Sequence, residues 1–195
     1  MNAKVIFIFI TMKYTWMILF AFFFTSCKEH KQSINKEQGN TAEVKKDTTK
    51  TAHIDLEIYD FNGFKKYLNQ KDDKVYIVNF WATWCAPCVK ELPFFEKINT
   101  EYHNQNVEVI LVSLDFPHLY ESKLKPFIVE HHIKSKVIAL DDVDMNTWIP
   151  LVNPDWSGSI PATIIYKNDV SEFYEQSFTY DTLENETLKF LNKSI

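Results

Sequence analysis

The chain has 195 residues and no arginine, so its 21 lysines supply all of the fixed positive charge. Without a guanidinium there is no bidentate fork for phosphates or base edges. With 26 acidic residues the formal charge is 21 − 26 = −5. Both features argue against nucleic-acid binding. Glycine is scarce as well. Gly39, Gly63 and Gly158 lie far apart, so no glycine-rich phosphate cradle can form. The cysteines are Cys27, Cys85 and Cys88. An odd count leaves at least one outside any intramolecular disulfide. The abundance of Lys, Asn, Ile and Phe beside absent Arg fits an AT-rich genome.

The charge divides the chain into three parts. Residues 1–27 carry two lysines and no acid, residues 28–53 six lysines against four acids, and residues 54–195 thirteen lysines against 22 acids. The resulting charges are +2, +2 and −9.

The first part reads as a targeting segment. Lys13 precedes the apolar run Trp16–Phe24, and Thr25-Ser26-Cys27 follows at once. A positive flank, a short apolar stretch and small residues at a boundary are the parts of a secretory signal. Met12 offers a second possible start. A spanning helix from Val5 to Phe24 is the alternative. It would place Lys13 near mid-membrane at a cost of about 2.5–3.5 kcal/mol, and the apolar run after Lys13 is too short to cross ~30 Å of hydrocarbon. Phe24-Thr25-Ser26-Cys27 resembles a bacterial lipoprotein box, although Phe24 replaces the usual small aliphatic residue. The resemblance implies lipid on the Cys27 sulfur and a membrane anchor, with the rest of the chain on the periplasmic side of a bacterial envelope.

Residues 28–53 hold only Ile34 and Val44 as large aliphatics and no aromatic. Such a stretch buries too little apolar surface to offset its ordering entropy. It is expected to be a disordered tether with an r.m.s. span of about 28 Å.

Residues 54–195 are long enough for one domain with a sizeable core. Asp60-Phe61-Asn62 opens a helical pattern through Tyr67 and Leu68. Lys74–Trp81 and Val107–Leu114 are apolar runs suited to central strands. Helices are predicted over Ala86–Tyr102, kinked at Pro93, over Tyr120–His132 and over Asp144–Leu151. Val137–Leu140 is a short strand. Ala162–Tyr166 and Val170–Phe178 pair across a turn at Asn168-Asp169. Asp181–Leu191 closes the chain, with Asp181 as its N-cap. Strands alternating with helices, then a hairpin and a helix, give an α/β sandwich with a mixed sheet.

The chemistry concentrates at Asn79–Pro93, NFWATWCAPCVKELP. A strand ends at Trp81, and Trp84-Cys85-Ala86-Pro87-Cys88 leads into a helix. Cys85 falls at that helix's N-terminus, where free N–H groups and the macrodipole stabilise a thiolate. Pro87 suits the first turn, where its missing N–H costs nothing. Cys88 is one turn on, within reach of a disulfide to Cys85. Cys85 is therefore the exposed attacking thiol and Cys88 the buried resolving one. A structural disulfide or half a metal site is the alternative. No second cysteine pair and no His at ligand spacing accompanies the two, so neither metal nor cofactor is expected.

The segments VNFWATWCAPC at 78–88, Val89-Lys90-Glu91-Leu92-Pro93, and Ile160-Pro161-Ala162-Thr163 resemble the thioredoxin superfamily. More closely, they resemble its TlpA/ResA-like extracytoplasmic thiol–disulfide proteins. The resemblance covers residues 60–195. It implies a thioredoxin-like three-layer sandwich with a central mixed sheet and a strand–helix insertion between Ser113 and Ile160. It implies a cis proline at Pro161 lying against the disulfide, with Ile160 offering its backbone to an extended substrate. The buried Asp of plain thioredoxin is Asn79 here. Glu91 matches the Glu that ResA-like members carry three residues after the second cysteine, which implies an acid/base for Cys88. A solvated carboxylate on the helix face is the alternative. Trp84 is expected to shield the disulfide, Trp81 to lie in the core, and Trp156 either to form the substrate rim or to pack on the core. His131-His132 reads as a helix end.

The resulting expectation is a membrane-tethered reductase of extracytoplasmic protein disulfides, re-reduced by a membrane thiol–disulfide electron donor. Ala86-Pro87 between the cysteines is close to thioredoxin's Gly-Pro, which favours a reductant. Apocytochromes, lipoproteins and periplasmic enzymes are all open as substrates. An oxidase or isomerase remains open on the same chemistry. So does a redox-inert adaptor or copper carrier. A peroxidase is disfavoured, because nothing near Cys85 resembles Thr-x-x-Cys.

Overall fold

The computed structural model describes residues 54–192. The signal, Cys27 and the tether lie outside the described residues. Six strands form one sheet in the order β1-β4-β3-β2-β5-β6. They are β1 (Glu57–Tyr59), β2 (Val75–Trp81), β3 (Val107–Ser113), β4 (Lys136–Leu140), β5 (Ala162–Lys167) and β6 (Val170–Tyr174). The first four run parallel, β5 is antiparallel to β2, and β6 is antiparallel to β5. The mixed sheet agrees with the sequence reading.

The central strands are buried on both faces, as their continuous apolar runs require. Side chains alternate across the sheet. Val75, Ile77 and Trp81 of β2 join one core with Leu92, Phe95 and Ile98 of α2 (Ala86–Tyr102) and Leu183 and Phe190 of α5 (Tyr180–Leu191). Tyr120, Leu124 and Ile128 cover the same face. Tyr76, Val78 and Phe80 join the opposite core with Phe61 and Phe64 of α1 (Phe61–Phe64), Trp148 of α4 (Met145–Val152), and Trp156. Helices on both faces of one sheet give the three-layer sandwich.

Four details differ from expectation. β1 was not foreseen: its three residues pair only with β4, at the sheet edge, too short a run to show a period. The helix expected over Tyr120–His132 is a π-turn, Tyr120–Leu124, followed by α3, Lys125–Glu130. β6 stops at Tyr174, so Phe178 leaves the ladder. The last helix is capped by Thr179 rather than Asp181, which sits in its first turn. α2 continues through Pro93 to Tyr102. Among the described residues no helix is long and apolar enough to cross a membrane.

Candidate active site

The site forms where β2 ends and α2 begins. Leu114 N–H donates to the Trp81 carbonyl at 2.8 Å, and Cys85 N–H to the Ala82 carbonyl at 3.1 Å. Asp115, after β3, holds the turn from the side. Its buried carboxylate accepts from Thr83 N–H at 3.0 Å, the Thr83 hydroxyl at 2.6 Å and the Ser113 hydroxyl at 2.8 Å. Sequence reading missed this clamp. An aspartate closing an apolar strand was its only signal.

Cys85 is the N-cap of α2, and its Sγ accepts from Cys88 N–H at 3.3 Å. Pro87 lies in the first turn. Cys85 and Cys88 form a disulfide, their Cα atoms 5.3 Å apart. Cys88 is fully buried, while Cys85 keeps 6% of its surface exposed. That is a narrower opening than the exposed thiol predicted, because the Ile160 loop lies over it. The Cys85 Sγ is 3.7 Å from the Ile160 carbonyl oxygen, and the Ile160–Pro161 bond is cis.

The Ile160 loop is itself held. Trp156 Nε1–H donates to the Ser159 carbonyl at 2.8 Å. The Glu175 carboxylate accepts from Ser157 N–H at 3.1 Å and Ser159 N–H at 3.2 Å. Gly158 takes φ +92°, a conformation that disfavours side chains. Trp156 is 5% exposed and packs on Phe80, ring centroids 4.8 Å apart. It is a core residue supporting the loop from beneath, not its rim. Trp84, by contrast, is 55% exposed and stacks on Phe116 at 6.4 Å. Trp81 is buried. His131 ends α3 and stacks on Phe127 at 3.9 Å. Among the described residues no three His, Cys, Asp or Glu side chains group to hold a metal ion.

Glu91 lies one turn beyond Cys88 on α2 and is 1% exposed, so the solvated alternative is ruled out. One oxygen accepts from Asn79 Nδ2 at 3.0 Å, the other from Phe178 N–H at 2.7 Å. Burial pushes its pKa from 4.5 up to about 7, against the two donors, which lower it. Asn79 also donates to Thr163 Oγ1 at 3.1 Å. Asn79, Glu91 and Thr163 are all buried.

A family model described as AhpC/TSA matches residues 51–171. The chain belongs to the AhpC/TSA family. Among relatives, the thiol-disulfide oxidoreductase ResA of Geobacillus kaustophilus HTA426 is 33% identical over 132 residues, covering 67% of this chain and 71% of that protein. ResA of Oceanobacillus iheyensis is 29% identical over 119 residues, covering 60% and 57%. The chain thus spans little more than half the length of some of its ResA relatives. In fold, this AhpC/TSA member is similar to a thiol:disulfide interchange protein of the thioredoxin family from Chlorobium tepidum TLS. That likeness has a TM-score of 0.53 at 20% identity, covering 66% of this chain and 85% of that one. A secreted thiol-disulfide isomerase from Corynebacterium glutamicum gives a TM-score of 0.54 at 19% identity, covering 63% and 73%. The fold is thioredoxin-like.

Proposed function

We propose that the chain is a thiol–disulfide oxidoreductase that reduces disulfides of extracytoplasmic proteins, tethered to a membrane through lipid on Cys27. The observation that carries the reading is a redox-capable pair with its N-terminal sulfur capping a helix and facing the Ile160 carbonyl. The Cys88 N–H and the dipole of α2 stabilise a thiolate on Cys85. That thiolate attacks a substrate disulfide. One substrate sulfur leaves as thiolate and takes a proton from solvent. The other stays bonded to Cys85. Cys88 passes its proton to Glu91 and attacks the Cys85 sulfur, which expels the second substrate thiolate and leaves the Cys85–Cys88 disulfide. Ile160 offers backbone to the substrate chain, Pro161 fixes that loop against the sulfurs, and Trp84 supplies an exposed apolar contact. Ala86 and Pro87 fill the turn between the cysteines without charge. A membrane thiol–disulfide donor returns two electrons per cycle. Residues 1–27 act as the lipoprotein signal, residues 28–53 as the tether and residues 54–195 as the redox domain.

Equilibration of the pair in glutathione buffers tests the direction. A reductase has a potential near or below the thioredoxin range of about −270 mV, whereas a value near about −120 mV would mark an oxidant and sink the reading. The Cys88→Ser variant should accumulate mixed disulfides through Cys85, visible on non-reducing gels and absent in Cys85→Ser.

A further inference from the structure

Asn79 stands where plain thioredoxin carries its buried acid, and it cannot take that acid's proton. Its amide nevertheless joins the two elements around the disulfide. The Nδ2 hydrogens go to Glu91 of α2 at 3.0 Å and to Thr163 of β5 at 3.1 Å. Thr163 lies two residues after Pro161. The other end of the amide, Oδ1, is buried with no hydrogen-bond partner.

We propose that Asn79 is a positioning residue for Glu91, and that its carboxamide turns over when Glu91 takes a proton. The proposal rests on Glu91 as the proton acceptor of Cys88 only for its catalytic consequence.

The geometry assigns the proton. With both carboxyl oxygens facing N–H donors, the observed arrangement suits the ionised form, which only accepts. On protonation one oxygen becomes a donor. The oxygen facing Phe178 meets a backbone N–H, which cannot turn into an acceptor. The oxygen facing Asn79 meets a side-chain amide, which can. Half a turn about the terminal torsion exchanges Nδ2 for Oδ1. Oδ1 then accepts from the Glu91 O–H and from the Thr163 hydroxyl, which serves as acceptor in one state and donor in the other. In the observed orientation the far side of the amide, Oδ1, has no partner, so no hydrogen bond there holds the amide against turning. The near side therefore decides, and the near side reads the proton on Glu91.

The carboxyl accepts from Asn79 of β2 and from the Phe178 N–H before α5. Thr163 of β5 is joined to it through Asn79, and Cys88 stands three residues before it on α2. Among the described residues no cation forms an ion pair with Glu91. Cys88 is the one titratable group in this set, and in the oxidised protein the disulfide removes it from titration.

Oxidised full-length protein therefore isolates the event, with no substrate or turnover needed. Its failure is thus distinct from failure of the reductase reading. The Glu91 carboxyl carbon shift and the Asn79 side-chain amide proton shifts are followed by NMR from about pH 5 to 9, bracketing a carboxyl raised to neutrality. The expected result is one shared midpoint, with the Asn79 signals of Glu91→Gln fixed at their low-pH position throughout. Amide signals that stay still through the Glu91 midpoint overturn the rotation. In Asn79→Leu both states lose their bond to the amide, so the Glu91 midpoint should rise by the difference between a charged and a neutral hydrogen bond, about one pH unit. An unchanged midpoint in a folded variant overturns the positioning role. If that variant does not fold, the wild-type titration still decides.

Discussion

Glu91 loses more from burial than it gains from its two donors, and stability must register the difference. In the folded chain its pKa is raised from 4.5 to about 7, so the folded state holds a proton that the unfolded state releases. The stabilisation this gives is complete below about pH 4.5. It fades as pH rises and is gone above about pH 7. Over that interval the loss is about 3 kcal/mol, at roughly 1.36 kcal/mol per pH unit. Glu91→Gln, which does not titrate, should lack this slope. Urea unfolding of both proteins between pH 4.5 and 8, about the range of the transition, checks it. The wild-type minus variant difference should fall by about 3 kcal/mol, and a flat difference would mean that the carboxyl is ionised throughout. The position of Glu91 was legible only through the resemblance to ResA-like members, which carry a Glu three residues after the second cysteine. Its burial was not, because the groups that enclose it are 12 and 87 residues away in the chain.

The start of α5 bears directly on this carboxyl. Thr179 caps the helix, accepting from Thr182 N–H at 3.3 Å, while Thr182 Oγ1 accepts from Thr179 N–H at 3.0 Å. The residue just before the cap is Phe178, whose N–H serves Glu91. Thr179→Ala should cost about 1 kcal/mol by chemical denaturation. It should also raise the Glu91 midpoint, since the Phe178 N–H is then less firmly aimed. A stability loss with an unmoved midpoint would separate the cap from the site. The cap escaped sequence reading because Asp181 offers a stronger local signal than Thr179. Only the early end of β6 at Tyr174 frees residues 175–179 to turn into the helix. The strand–CxxC–helix unit was legible for the opposite reason. Its apolar run, its proline and its cysteine spacing are all local. The Asp115 clamp joins residues 32 positions apart, so its only local trace was an aspartate after an apolar strand.

At the scale of the whole molecule, both faces of the sheet are closed by elements within the described residues. One face is covered by α2, α3 and α5, the other by α1, α4 and the Trp156 loop. The strands announced this layout, since runs such as VYIVNFW are apolar at every position except Asn79. That exception is where the two cysteines' supporting elements meet. Two closed cores need no contribution from residues 1–53, and the 28–53 stretch holds only two large aliphatic side chains. Removing residues 1–53 should therefore leave the thermal midpoint within about 3 °C of the full chain, less than the shift from losing one ordinary interaction in a domain of this size. The Cys85–Cys88 potential should be equally unchanged, because among the described residues the hydrogen-bond partners of the pair lie between Ala82 and Ile160. Calorimetry and glutathione equilibration of the two proteins measure both quantities. A drop of about 10 °C would mean that the leading segment packs on the domain, and the division of the chain at residue 54 would then be wrong.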